Sequence, residues 1–154
     1  MNDESIEKLK FNTTLIEKIV NELPPIENML GKPLFVLVFN FGCPGCLHRA
    51  IPFMNKLSID YSEQINFIGI HTNHEGVDFS NFAIETLVHK HHINFPIFKD
   101  KNFNDFYYKY QAAGTPHWFI FNEKLELTYN MFGADPNRGL LKLLYIVDEM
   151  LLKK

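Results

Sequence analysis

A chain of 154 residues suits one domain and buries about 68–70% of the surface its unfolded form exposes, so it needs no disulfide staples to hold a core. With 46% hydrophobic and 21% charged residues its composition is that of a soluble globular protein, and fifteen Phe and six Tyr supply large core side chains. A formal net charge of −3 without a long basic run argues against sequence-independent nucleic-acid binding, and the longest apolar stretch, Leu34 to Phe39, is far too short to span a bilayer.

The polar, acidic start, Met1 to Leu9, lacks the basic segment and apolar run of a secretory signal. The chain as it stands is therefore expected in the cytoplasm, and a removed leader would instead mark an exported, periplasmic protein. From Thr14 on, Leu15, Ile16, Ile19 and Val20 have the spacing of one helix face, with Asn12 or Thr13 as cap and Pro24-Pro25 as stop. Residues 1–30 are accordingly expected to form an N-terminal helical extension ahead of a main domain over 31–154. Gly31-Lys32-Pro33 is a turn signal.

The run Leu34 to Phe39 reads as a central strand buried on both faces. After Gly42 and Cys43-Pro44-Gly45-Cys46 comes an amphipathic helix through Ile51, Met54, Leu57 and Tyr61, which Pro52 should kink by removing a backbone donor. Ile65 to Ile70 reads as a second buried strand ending at His71, and a polar loop leads to a helix from about Ser80 to His92. Phe95 to Phe98 is extended and Phe103 to Tyr110 a short helix. His117 to Phe121 and Leu125 to Met131 form an antiparallel hairpin, and Arg138 to Leu152 a C-terminal helix. This order predicts an α/β fold, a parallel βαβ unit followed by ββα, whose mixed sheet is flanked by helices on both faces.

The chain's two cysteines lie three positions apart. A disulfide closing so short a loop restricts the unfolded chain little, so chemistry explains the pair better than stability does. Beside a βαβ pattern such a CxxC reads as redox. Cys43 follows a strand at the mouth of a helix, where N–H groups and the dipole favour an anion, hence the thiolate that attacks a disulfide. Cys46, one turn later, is placed to resolve the mixed disulfide. Gly42, Pro44 and Gly45 make up the active-site loop, and Pro-Gly between the cysteines disfavours an inert core pair. A closed zinc site needs about four ligands, and recruiting His48 and His71 would be the one way to reach that number. No metal or other cofactor is expected.

Together with Gly114-Thr115-Pro116 just before the hairpin, the strand ending in Cys43-Pro44-Gly45-Cys46 resembles the thioredoxin-like superfamily, and within it the TlpA/ResA-like, redoxin branch. Gly31-Lys32-Pro33 and Ile68-Gly69-Ile70-His71-Thr72 look like that branch too, and the resemblance runs from about Gly31 to the C-terminus. It implies a thioredoxin-like domain and a cis Thr115-Pro116 bond facing the cysteines, presenting backbone groups to an extended substrate.

The chain also departs from that pattern. Leu37 stands where thioredoxins place a buried Asp, and Leu47-His48-Arg49-Ala50 carries no Glu, so no residue inherits the proton-acceptor role. Gly42 replaces the usual Trp, and Pro52 falls one residue late, which implies a small insertion or bulge. His48 and Arg49 are candidates for favouring the thiolate electrostatically, and His71 for the same tuning or a proton shuttle. His117 either lines the substrate groove or faces outward; Trp118 belongs to the core, and His89, His91 and His92 form a polar helix end.

The function expected is thiol–disulfide exchange with protein thiols or disulfides, supplied by an upstream redox donor, by a monomer with no nucleic-acid or membrane partner. A peroxiredoxin-like thiol peroxidase is the rival reading. Against it, Asn40 stands three residues before Cys43 where peroxidases of that kind carry Thr or Ser. A noncatalytic binding module is the third, and the intact CxxC argues against it.

Overall fold

The computed structural model describes residues 9–19, 26–73 and 78–152. In chain order its elements are β1 (Ile16–Lys18), β2 (Leu34–Phe39), α1 (Ile51–Tyr61), β3 (Asn66–His71), α2 (Asn81–Lys90), β4 (Ile97–Asp100), α3 (Asp105–Lys109), β5 (His117–Phe121), β6 (Leu127–Phe132) and α4 (Leu141–Leu152). The six strands form one sheet in the order β1-β4-β3-β2-β5-β6. β2 pairs in parallel with β3, and β3 with β4; β5 runs antiparallel to β2 and β6 to β5. This is the expected βαβ unit followed by ββα.

All six residues of β2 are buried because its side chains feed two cores. Phe35, Leu37 and Phe39 face the side covered by α1, α2 and α4, where Ile51, Met54, Leu57, Ile84, Leu143 and Val147 meet them. Leu34, Val36 and Val38 face the other side, against Phe106 and Tyr107 of α3, Tyr110 just after it, and Phe11 and Met29. Burying a side chain of this size contributes about 1.5–3 kcal/mol, so continuous apolarity, with no alternation, is what a two-sided strand needs. Gly69 in β3 makes room for this packing: a Cβ there would lie 2.6 Å from Ile97 Cδ1 and 3.0 Å from Phe39 Cε1.

The helix expected from Thr14 does not form over residues 14–19. Asn12 accepts the N–H and the hydroxyl of Thr14 (2.9 and 2.6 Å), which closes a short 3-10 turn at Thr13–Leu15. The chain then pairs antiparallel with β4, Glu17 opposite Lys99, while Leu15 O accepts the N–H of Lys101 at 2.9 Å. An open strand edge offers partners that a marginal helix cannot match. Residues 16–18 therefore belong to the same sheet as the rest. The remainder of that expected helix, from residue 20 to its stop at 24–25, lies outside the described residues, as do residues 1–8.

Pro52 produces a wide turn, not a kink. Cys46–Ala50 forms a π-turn in which Ile51 N–H reaches back five residues to Cys46 O. Proline has no N–H to give and its ring crowds the carbonyl four residues earlier, so widening the preceding turn relieves both. The bulge implied by the late position of Pro52 is present. No described helix is long and apolar enough to cross a membrane.

Candidate active site

Three successive amides fix the loop that leaves β2. Phe41 N–H donates to His71 Nε2 at 3.1 Å, Gly42 N–H to Asn40 Oδ1 at 2.7 Å, and Cys43 N–H to Asn40 O at 3.0 Å. The Asn40 side-chain amide donates in turn to Thr72 O at 2.8 Å, which ties this loop to the end of β3. Asn40 and His71 are both buried. Burial, with the charge of Lys99 in the same sense and Asp78 opposing, pushes His71 down to about 4. His71 is therefore neutral near pH 7 and supplies an acceptor to the loop. A neutral ring here brings no positive charge to the loop.

The helix begins at Pro44, where a fixed φ suits a first helical position. Cys43 O accepts from Cys46 N–H and Leu47 N–H, both at 3.1 Å, and Cys43 Sγ accepts from the same Cys46 N–H at 3.3 Å. The sulfur thus takes the place a capping oxygen holds in other helices. Cys43 is partly exposed, whereas Cys46 is fully buried, and neither is in a disulfide. Burial, reinforced by the Cys43 side chain beside it, pushes the Cys46 thiol well up. The two sulfurs therefore differ in access to solvent.

The third component arrives from the start of β5. Thr115-Pro116 is cis, and the Cys43 thiol donates to Thr115 O at 3.5 Å. Gly45 approaches the same proline, since a Cβ on Gly45 would lie 3.7 Å from Pro116 Cδ. Gly133 N–H holds Pro116 O at 2.8 Å. Cys43, Cys46, Gly45, Thr115 and Pro116 are thereby brought together. Gly42 and Pro44 are exposed beside them.

His48 and Arg49 are exposed on the π-turn and line a groove next to Pro44 and Gly45. His117 neither lines that groove nor faces outward. It is buried, stacked on Phe119 at 4.5 Å, its Nδ1 accepting Ala113 N–H (3.1 Å) and its Nε2 donating to Asn130 Oδ1 (2.9 Å). Trp118 is core, and its indole N–H donates to Gly133 O at 2.8 Å. Among the described residues no three His, Cys, Asp or Glu side chains are grouped to hold a metal.

Sequence reasoning passed over Asn40 as a structural residue. The signal was an Asn two positions before a Gly at a strand end, the pattern of a side chain that folds back onto the backbone. It passed over Asp100 altogether. This buried carboxylate accepts the amides of Phe106 and Tyr107 and the hydroxyl of Thr72, so it caps α3 and anchors the residue that Asn40 holds. Burial raises its pKa to about 6 against those three donors.

No protein-family model matches the chain, and no curated protein is similar enough in sequence to count as a relative. Solved structures do match. The chain is similar to a thiol-disulfide isomerase from Corynebacterium glutamicum, with a TM-score of 0.81 at 23% identity, covering 95% of this chain and 97% of that one. It is also similar to a secreted Mycobacterium tuberculosis disulfide oxidoreductase (0.66, 17% identity, 87% and 93% covered) and to StoA from Bacillus subtilis (0.59, 17%, 77% and 84%). The strand order, the helix that starts behind Cys43, the cis Thr115-Pro116 bond and these likenesses together show that the chain has the thioredoxin-like fold.

Proposed function

We propose that the protein is a thiol–disulfide oxidoreductase of the TlpA/ResA-like kind, acting on protein substrates through Cys43 and Cys46. The observation that carries this reading is the asymmetry of the pair: an accessible sulfur capping a helix and facing Thr115 O, and a buried partner one turn away. The Cys43 thiolate attacks one sulfur of a substrate disulfide, forming a mixed disulfide and releasing the other substrate sulfur as a thiolate. The Cys46 sulfur then attacks Cys43 Sγ, the Cys43–Cys46 disulfide forms, and the second substrate sulfur leaves as a thiolate. Two electrons pass from the dithiol to the substrate. The thiolate released first takes up the proton that the buried Cys46 must lose. Run in reverse, the same steps oxidise a substrate dithiol, and a redox donor or acceptor upstream sets the direction.

Peroxide chemistry finds no support at the position where it would need it, because both polar atoms of the Asn40 side chain are committed to the backbone of Gly42 and Thr72. Stopped-flow mixing separates the two readings. The reduced protein is expected to reduce a protein disulfide in a Cys43-dependent way and to consume hydrogen peroxide slowly. Fast peroxide consumption by Cys46→Ser would overturn the oxidoreductase reading.

A further inference from the structure

Beside the active-site loop lies a groove of about 770 Å³ that begins at Pro44 and Gly45 and runs between the π-turn and the start of the C-terminal helix. At the upper part of the roughly 300–1,000 Å³ typical of ligand pockets, it has room for several residues of an extended chain. Its floor is apolar, with Tyr129 and Met131, and its rim is cationic. Arg49 borders one wall and Arg138 and Lys142 the other, with His48 beside Arg49.

Asp135 is the one carboxylate in this lining, and its Oδ1 is occupied by the amides of Asn137 (2.8 Å) and Arg138 (3.1 Å), capping the turn before α4. Lys142 Nζ lies 5.6 Å from the centroid of the Tyr129 ring. Among the described residues the ion pair within 4 Å joins Lys99 to Asp78, while Arg49 and Arg138 both face Asp135 at longer range and help hold its carboxyl low, after the two amides. Three cations against one acid, on a chain whose net charge is −3, make a local field opposite in sign to the whole. Guanidinium groups suit carboxylates, and a charged cleft with an apolar floor concentrates the field on what enters it.

We infer that this groove selects the substrate: it receives an extended protein segment carrying Asp or Glu beside the cysteine that reaches Cys43. The inference rests on the oxidoreductase reading and names the substrate class for that site. Acidic side chains of such a segment meet Arg49, Arg138 and Lys142, while its apolar positions lie over Tyr129 and Met131.

The test uses two disulfide-linked synthetic peptides that differ only in the residues flanking the cysteine, Glu in one and Lys in the other, with uncharged 4,4′-dithiodipyridine as reference. At about 20 mM salt the reduced protein is expected to reduce the acidic peptide roughly tenfold faster than the basic one, and at about 0.5 M salt the ratio is expected to fall within about twofold. The double variant Arg138→Glu/Lys142→Glu is expected to invert the low-salt ratio. Equal rates for the two peptides at low salt, with the neutral reference still reduced, would overturn the groove's role and leave the oxidoreductase reading standing. Failure to reduce the neutral reference would instead overturn that reading. Reduction of glutathione disulfide as fast as the acidic peptide would also overturn the inference, because a small acidic disulfide would then suffice.

Discussion

The sulfur of Cys43 lies 3.5 Å from the carbonyl oxygen of Thr115, seventy-two positions further along the chain. This contact joins the end of one half of the sheet to the start of the other. Because β2 and β5 are neighbours in register, Val38 opposite His117, the loop after β2 and the loop before β5 must meet at the same end of the sheet. Sheet pairing thus places a partly exposed thiol against a backbone acceptor just before a strand, a place where an extended peptide could pair.

The difference in burial between the two cysteines predicts selective alkylation. Iodoacetamide at neutral pH is expected to modify Cys43 in the native protein and to leave Cys46 at least about a hundredfold slower, since a fully buried thiol must wait for the structure to open. Mass spectrometry of the digested protein reads this directly. Comparable labelling of both under native conditions would contradict the assignment of attacking and resolving roles.

Asn40 bears on both stability and the loop. Asn40→Ala removes the partner of the buried Thr72 carbonyl and that of the Gly42 amide, which solvent can reach. A buried polar group left unsatisfied costs about 1–3 kcal/mol. The variant is expected to lose about 1–3 kcal/mol in urea denaturation with an unchanged slope, and disulfide exchange should slow because the chain entering Cys43 is no longer held. An unchanged midpoint would mean that water replaces both bonds.

Two buried titrating groups, His71 and Asp100, pull stability in opposite directions. His71 is pushed down from 6.5 to about 4, so between those values the unfolded chain binds more protons and stability rises with pH. Asp100 is pushed up from 3.8 to about 6, so there the folded chain binds more protons and stability falls with pH. Each effect is on the order of 3 kcal/mol across its window, and in the wild type they nearly cancel between about pH 4 and 6. His71→Gln is expected to unmask a fall in stability over that range and Asp100→Asn a rise, both measured by denaturant midpoints at several pH values. Slopes of the same sign in the two variants would contradict the shifts.

Much of this fold was legible because its strands are long and apolar. The six-residue run of β2 and the matching run of β3 admit few readings besides buried parallel strands, and the hairpin is marked by the polar turn between the buried β5 and the alternating β6. The parallel βαβ unit followed by ββα came from their order, and the thioredoxin-like architecture from the resemblance carried by Cys43-Pro44-Gly45-Cys46 and Gly114-Thr115-Pro116. The first strand was misread because three residues are too few to show alternation, while Leu15, Ile16, Ile19 and Val20 happen to suit a helical face. What decides β1 is the open edge of β4, more than eighty residues away, which no local pattern displays.

The same reasoning divides the site. The cysteines and Thr115-Pro116 stand out because their chemistry is unusual in sequence. Asn40, His71 and Asp100 do not, since their roles consist of hydrogen bonds across folded loops. The cationic rim went unseen for a similar reason: Arg49 and Arg138 lie far apart in sequence and share a groove only because the sheet brings their helices side by side.

Trapping the covalent intermediate tests the central claim most directly. Cys46→Ala, incubated with a disulfide-linked peptide, is expected to accumulate a mixed disulfide in which peptide mapping finds the peptide on Cys43, whereas wild type releases free peptide thiol and no adduct. Failure of Cys46→Ala to form any adduct while wild type still reduces the peptide, or an adduct that forms on Cys46 in Cys43→Ala as readily, would contradict it.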